Sequence, residues 1–273
     1  MRQFFLHSLL VLGTLYLMIP SALFSQVGIS VSPPRVYYTL NPGETGTQKV
    51  LVSNVSKEHP LNLSLTLGDW TYDNYGNNLM FPPDSLDNSC AGWISVPDGM
   101  YLTLEPGENR EIEVTMTVPN MSAPDDNVQT AMLFVTQMNP VDGVDAQGAA
   151  IRINVRQGIK LYRKGNAPEI KKIEIEDLAY DRETNSLLLL FSNGGNIWLN
   201  GRVSAGLFNQ DNGKELNIEA IDFYTMPGDH RSMRIPLSQD MEKGSYTATV
   251  MVDYGDRTTI EAAELQFNYE TNM

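Results

Sequence analysis

The sequence predicts an all-β fold, two β-sandwiches in tandem behind a cleaved leader, and three observations carry that reading. Apolar and polar residues alternate along one segment after another. In LNLSLTLGDW, Leu61, Leu63, Leu65 and Leu67 share one face while Asn62, Ser64 and Thr66 share the other, the pattern of a strand buried on one side. The block Leu-x-Pro-Gly-Glu followed by an alternating run occurs twice, at LNPGETGTQKV (40–50) and LEPGENREIEV (104–114). No segment sustains the periodicity of an amphipathic helix.

The chain opens with MRQFFLHSLLVLGTLYLMIPSALFSQ: one early cation at Arg2, an apolar run from Leu9 to Ile19, then Pro20 and the small residues Ser21, Ala22 and Ser25. That is the pattern of a signal peptide spanning 1–25, and Pro20 with the small residues fits a processing site better than the rival reading, a single membrane anchor. The next segment, SPPRVYYTLNPGETGTQKVLVSN (32–54), reads as two strands around a Pro-Gly turn. Pro presets φ and Gly accepts φ > 0 at the central positions of a type II turn. REIEVTMTVP alternates Ile112, Val114, Met116 and Val118 with polar partners and reads as another strand. A loop is expected at 119–130, a strand at 131–138, a loop at 139–148, and one long strand from Ala149 to Tyr162.

RKGNAPEI, with Gly165 and Pro168, is a polar connector and divides a first domain at 26–165 from a second at 166–273. Beyond it, KIEIEDL, SLLLLFSN, GRVSAGLF, SMRIPLS and the long run ending in QFNYE read as a second set of strands, with YGDR (254–257) as a hairpin turn. Short strands separated by regular turn signals are what β-sandwiches show.

Composition excludes several functions. The full chain of 273 residues has 19 Lys plus Arg against 33 Asp plus Glu, a poor match to nucleic acid or anionic lipid. Cys90 is alone, so no internal disulfide framework is expected in an exported chain, and each domain must fold on its own core. With His7 in the leader, only His59 and His230 remain for metal binding or a catalytic triad. No metal site, cofactor or small-molecule substrate is expected, and the nucleophile–base–orienter set of a hydrolase is missing. The Asp229–His230 pair in MPGDHRS reads as a solvated turn, because neighbours on a turn point apart. DWTYDNYGNN reads as a surface hairpin or loop without the ligand spacing of a calcium site. Two cations on strands remain, Arg35 and Lys160, and either alone is most simply an outward-facing solvated residue.

Taken together, the segments holding them resemble the N-terminal domain of the periplasmic chaperones of the chaperone–usher pilus pathway. SPPRVYY resembles that family's first strand. NPGETGTQKVLVSNVS is similar to the turn and strand that follow, WISVPDGMYLTLEPGENREIEV to its Pro-x-x-x-x-Leu-x-Pro-Gly segment, and IRINVRQGIKLYRK to its long final strand. The likeness runs from about residue 28 to 165 and implies two immunoglobulin-like domains meeting at an angle. It implies that Arg35 and Lys160 grip the C-terminal carboxylate of a pilus or surface subunit. It also implies that Ile151, Ile153 and Val155, extended by Ala149, donate a strand to that unfinished subunit, with an outer-membrane usher as a further partner. The sequence departs from the family in the delayed Pro168, the long polar segment 71–92 and the acidic balance.

Two functional readings follow. The first is a non-enzymatic periplasmic chaperone. The second is a structural or adhesive cell-surface protein of tandem immunoglobulin-like domains, in which Arg35 and Lys160 are ordinary exposed charges.

Overall fold

A computed structural model describes residues 28–120, 128–144 and 149–270; the expected leader, 1–25, lies outside them. The first half contributes β1 (Ile29–Ser32), β2 (Arg35–Thr39), β3 (Thr45–Asn54), β4 (Leu61–Tyr72), β5 (Asn78–Phe81), β6 (Ile94–Ser95), β7 (Tyr101–Leu104), β8 (Asn109–Thr117), β9 (Gln129–Gln137), β10 (Val141–Val144), β11 (Ala150–Ile153) and β12 (Arg156–Lys164). The second half contributes β13 (Ile173–Asp181), β14 (Ser186–Asn193), β15 (Leu199–Asn209), β16 (Glu215–Thr225), β17 (His230–Pro236), β18 (Gly244–Asp253) and β19 (Glu261–Tyr269). The fold is all-β, and no helix among the described residues is long and apolar enough to cross a membrane.

In the first sandwich, a sheet of order β1-β3-β8-β6 faces a sheet of order β2-β12-β9-β4-β5, with β7 also on β4. The alternation seen in sequence becomes the core: Val50, Val52, Ile112, Val114 and Met116 from one sheet meet Leu61, Leu63, Leu65, Leu133, Leu161 and their neighbours from the other. Tyr38 crosses between sheets, its hydroxyl donating to the Val114 carbonyl at 2.7 Å. In the second sandwich β13-β14-β17 faces β16-β15-β18-β19, and Leu187, Leu189 and Phe191 pack with Val203, Leu207, Ala248, Val250 and Val252.

β9 is buried on both faces. Ala131, Leu133 and Val135 belong to the first core, whereas Met132 and Phe134, on the opposite face, join Trp70 and Tyr162 in a cluster continuous with the core of the second sandwich. The outer face of the first sandwich's second sheet is therefore where the two halves meet.

Both Pro-Gly blocks form the expected turns, and with the same wiring. Glu44 N–H bonds to the Asn41 carbonyl and Glu108 N–H to the Glu105 carbonyl, each at 3.0 Å. In both copies the Glu side chain reaches back to the first N–H of the turn, Asn41 to Glu44 Oε2 at 2.7 Å and Glu105 to Glu108 Oε2 at 2.8 Å. Gly43 and Gly107 take φ of +84° and +73°, the left-handed region the turn requires.

Four expectations need correction. The long strand 149–162 is two strands, β11 and β12, interrupted at Asn154–Val155, and β11 pairs with β10 rather than with β9. The expected loop 139–148 accordingly contains β10, because residues 138–140 interrupt the hairpin and its two arms pair again beyond them. β16 was not anticipated. Two of its residues, Glu219 and Ala220, oppose the single Ser204 between the pairs Val203↔Ile221 and Ala205↔Ile218, and such a bulge switches the alternation from even to odd positions partway along the strand. The β18–β19 hairpin exists, but its connection spans 254–260 rather than a tight YGDR turn.

The two Pro-Gly turns make a paired test. A methyl at Gly107 meets nothing within 4 Å, while one at Gly43 collides with the Asn120 side chain, and both positions have φ > 0. Gly107→Ala should cost about 1–2 kcal/mol from backbone strain alone, and Gly43→Ala should cost more. Urea midpoints check this; equal losses would mean the Asn120 contact is immaterial.

Candidate functional site

The chain changes sheets between β1 and β2: β1 pairs with β3, β2 with β12. Pro33 and Pro34 occupy the crossing, where neither offers an N–H to extend the first ladder. β2 then runs parallel to β12, with Arg35 opposite Lys160 and Tyr37 opposite Tyr162. In-register residues of adjacent strands share a face, so the two cations predicted from sequence stand side by side and the two tyrosines stand two residues further along.

Lys160 is not an exposed strand charge. It is 8% exposed, and its ammonium donates to the Tyr72 hydroxyl at 2.9 Å and to Asn78 Oδ1 at 2.6 Å. Its Nζ lies 3.7 Å from the centroid of the Trp70 ring and 4.1 Å from that of Tyr72. Arg35 is half-buried, its guanidinium carbon 4.2 Å from the ring centroid of Tyr224 on β16, and its Nε is buried without a hydrogen-bond partner. A third cation, Arg231 on β17, sits with its guanidinium carbon 5.3 Å from the Tyr72 ring. Among the described residues no carboxylate pairs with Arg35 or Lys160; the partners of Lys160 are neutral oxygens and rings. Burial, reinforced by Arg35 and Arg231, lowers the Lys160 pKa to about 7.

The cleft is walled by aromatic rings from both halves. Tyr37, Tyr162 and Trp198 form a triangular cluster, with Tyr37 stacked on Tyr162 at 5.1 Å and on Trp198 at 5.2 Å and the latter two 5.1 Å apart, and Trp70 meets Tyr162 edge-on at 5.4 Å. Between them lies a cavity of about 160 Å³ that Arg35 also lines.

The β4–β5 hairpin fixes the second half against the first. Arg231 Nη1 donates to the Asp73 carbonyl at 3.0 Å, Ser232 N–H to the Asn74 carbonyl at 2.7 Å, and Gly76, with φ of +90°, leaves the space the Arg231 guanidinium fills. The stretch DWTYDNYGNN is thus a hairpin, as read from sequence, but one that docks on a neighbouring domain. MPGDHRS is likewise less solvated than expected. Asp229 Oδ2 accepts the Met226 N–H at 2.8 Å, and burial raises its carboxyl pKa. His230 Nδ1 faces Glu176 Oε1 at 2.8 Å.

The remaining candidates lie apart from the cations. Ala149 is exposed just before β11; on β11, Ile151 is half-buried and Ile153 exposed; Val155, in the break, packs partly against the first core. Sequence reasoning did not identify Tyr72, Asn78, Trp198, Tyr224 or Arg231. Trp70 and Tyr72, two residues apart on an alternating segment, could have been placed on one face; the second-half residues carry no such signal.

No protein-family model and no curated protein matches the chain. Among solved structures it is similar to the class 5 fimbriae chaperone CfaA, at 12% identity and a TM-score of 0.49 over 88% of this chain and 98% of that one. It is similar to a chain of the CsuC–CsuE chaperone–tip adhesion subunit pre-assembly complex from the archaic Csu pili of Acinetobacter baumannii, at 15% identity and 0.48 over 87% and 97%. It is also similar to a chain of the Salmonella enterica SafA pilin–SafB chaperone complex, at 14% identity and 0.48 over 88% and 97%.

The depressed Lys160 pKa has a signed consequence. The unfolded chain holds this proton up to about 10.5 and the folded chain releases it near 7. Between those values the unfolded state binds more protons, so stability rises with pH across that window, and below it the lysine contributes no slope. Urea midpoints from pH 6 to 10 should climb more steeply for the wild type than for Lys160→Met; identical slopes would mean the lysine titrates normally.

Proposed function

We propose that the protein is a periplasmic chaperone that holds a strand-deficient pilus or surface subunit by its C-terminal carboxylate and by strand addition, and passes it to an outer-membrane usher. The observation that carries this reading is the pairing of Arg35 with Lys160 in register on parallel strands, at the meeting of two domains, with no carboxylate partner among the described residues. Two partly desolvated cations without a counter-charge are costly by themselves. One carboxylate placed between them makes charge-assisted hydrogen bonds to both and relieves their repulsion. Any client chain that ends in the cleft presents such a group.

The donor strand fits beside it. β11 is joined on one edge by β10, and no described strand pairs with its other edge. A client lacking a strand can add its backbone there while Ile151 and Ile153 enter its open groove, with Ala149 and Val155 at the two ends. The rigid hairpin dock of Arg231 keeps the second domain over the carboxylate site as the client is held. The reading needs no covalent chemistry, cofactor or metal, and the signal peptide expected at 1–25 supplies the route to the periplasm. The alternative, a structural or adhesive surface protein, requires Arg35 and Lys160 to be ordinary exposed charges, and the burial of Lys160 speaks against that premise.

The test is co-purification from the native cell envelope. Arg35→Ala with Lys160→Ala removes two charge-assisted contacts of roughly 1.5–3 kcal/mol each, so client affinity should fall on the order of 100-fold or more with the fold intact. Ile151→Asp with Ile153→Asp, at positions outside the core, should likewise abolish client recovery. A double alanine variant that retains the same partners would remove the carboxylate grip; an aspartate variant that retains them would remove the donor strand.

A further inference from the structure

The cavity beside Arg35 has a shape and lining that the carboxylate grip does not account for. Its volume is about 160 Å³, close to the roughly 150 Å³ of a protein cavity able to hold a benzene ring. Five aromatic residues drawn from both domains, Tyr37, Tyr72, Tyr162, Trp198 and Tyr224, line it together with Arg35, Asn200 and other residues, and polar atoms outweigh apolar ones on its exposed wall. Tyr37 is 46% exposed although its ring contacts both Tyr162 and Trp198, which also contact each other. The polar groups present, the tyrosine hydroxyls and the Asn200 amide, can meet a ring hydroxyl.

We propose, building on the carboxylate reading above, that this cavity is a subsite for the side chain of the client's last residue and selects clients ending in an aromatic residue, tyrosine or phenylalanine. The C-terminal carboxylate and the terminal side chain leave the same Cα, so a chain whose carboxylate reaches Arg35 has its last side chain beside that cavity. A planar ring completes the Tyr162–Tyr37–Trp198 array with offset or edge contacts. A small terminal side chain leaves the cavity unfilled and the Tyr37 ring half-exposed. Specificity then comes from the residue that carries the gripped carboxylate, and domain two contributes to recognition through Trp198, Asn200 and Tyr224.

Calorimetry of the purified protein with hexapeptides that share one sequence and end in Tyr, Phe or Ala, each as free acid and as C-terminal amide, separates the two ideas. Acids ending in Tyr or Phe should bind at least tenfold more tightly than the Ala acid, and amides should bind weakly throughout. Asn200→Phe, which fills the cavity from an exposed position, and Trp198→Ala, which removes a wall, should each bring the aromatic-to-Ala ratio to within about twofold while keeping the preference for acid over amide. Circular dichroism confirms that each variant is folded. Equal binding of the three acids overturns the subsite and leaves the grip standing. An aromatic preference that survives in both variants also overturns it, since the ring then binds elsewhere. Acids that bind no better than amides overturn the grip and the subsite together. Peptides that fail to bind at millimolar concentration overturn the subsite, and the double alanine co-purification then decides the grip separately.

Discussion

The parallel, in-register pairing of β2 with β12 is the constraint on which the rest depends. Parallel pairing places Arg35 beside Lys160 and Tyr37 beside Tyr162 on one face of a sheet. The proline pair makes it available: the chain leaves the first sheet at Ser32 and enters the second at Arg35, the intervening Pro33 and Pro34 offer the first ladder no N–H, and the Pro34 carbonyl already accepts the Lys160 N–H of the second sheet. Like charges on adjacent positions repel, and here the repulsion is met by rings and neutral oxygens rather than by an acid. Trp70, Tyr72 and Asn78 soften the ammonium's desolvation without cancelling its charge. The result is a buried lysine whose proton is held weakly.

The second constraint is geometric. A cation pair on the outer face of a sandwich would be solvated if nothing covered it. Covering comes from the second sandwich, which packs against Met132 and Phe134 on the outer face of β9. It comes also from the β4–β5 hairpin, which reaches past the sheet to receive Arg231. The tip of that hairpin, Asp73 to Gly76, is therefore one of the elements that position the second domain. The two domains share apolar surface beside this site, and one strand pair brings its two cations together.

Much of the fold was legible in the sequence because period two is a strong signal wherever one face is buried. Leu61, Leu63 and Leu65, and Ile112, Val114 and Met116, point inward as their spacing required. The two Pro-Gly-Glu turns form as read, and each Glu carboxylate also accepts the first N–H of its own turn. β16 escaped notice because its bulge reverses the alternation midway. The break at Asn154–Val155 escaped because apolar residues continue to alternate through it, while the backbone changes partner. Of the site, Arg35 and Lys160 were found as charges on strands otherwise bound for burial. Trp198, Tyr224 and Arg231 were not, since contacts between domains leave no periodic trace.

The most direct test of the account is the titration of the Lys160 amine, followed by NMR on the folded protein, with and without a peptide bearing the client's free C-terminus. The account predicts a pKa near 7 in the free protein, rising toward the ordinary lysine range when the peptide's carboxylate offsets the repulsion from Arg35 and Arg231. A bound peptide that leaves the Lys160 pKa where it was would contradict the central claim, because the carboxylate would then lie somewhere other than between these two cations.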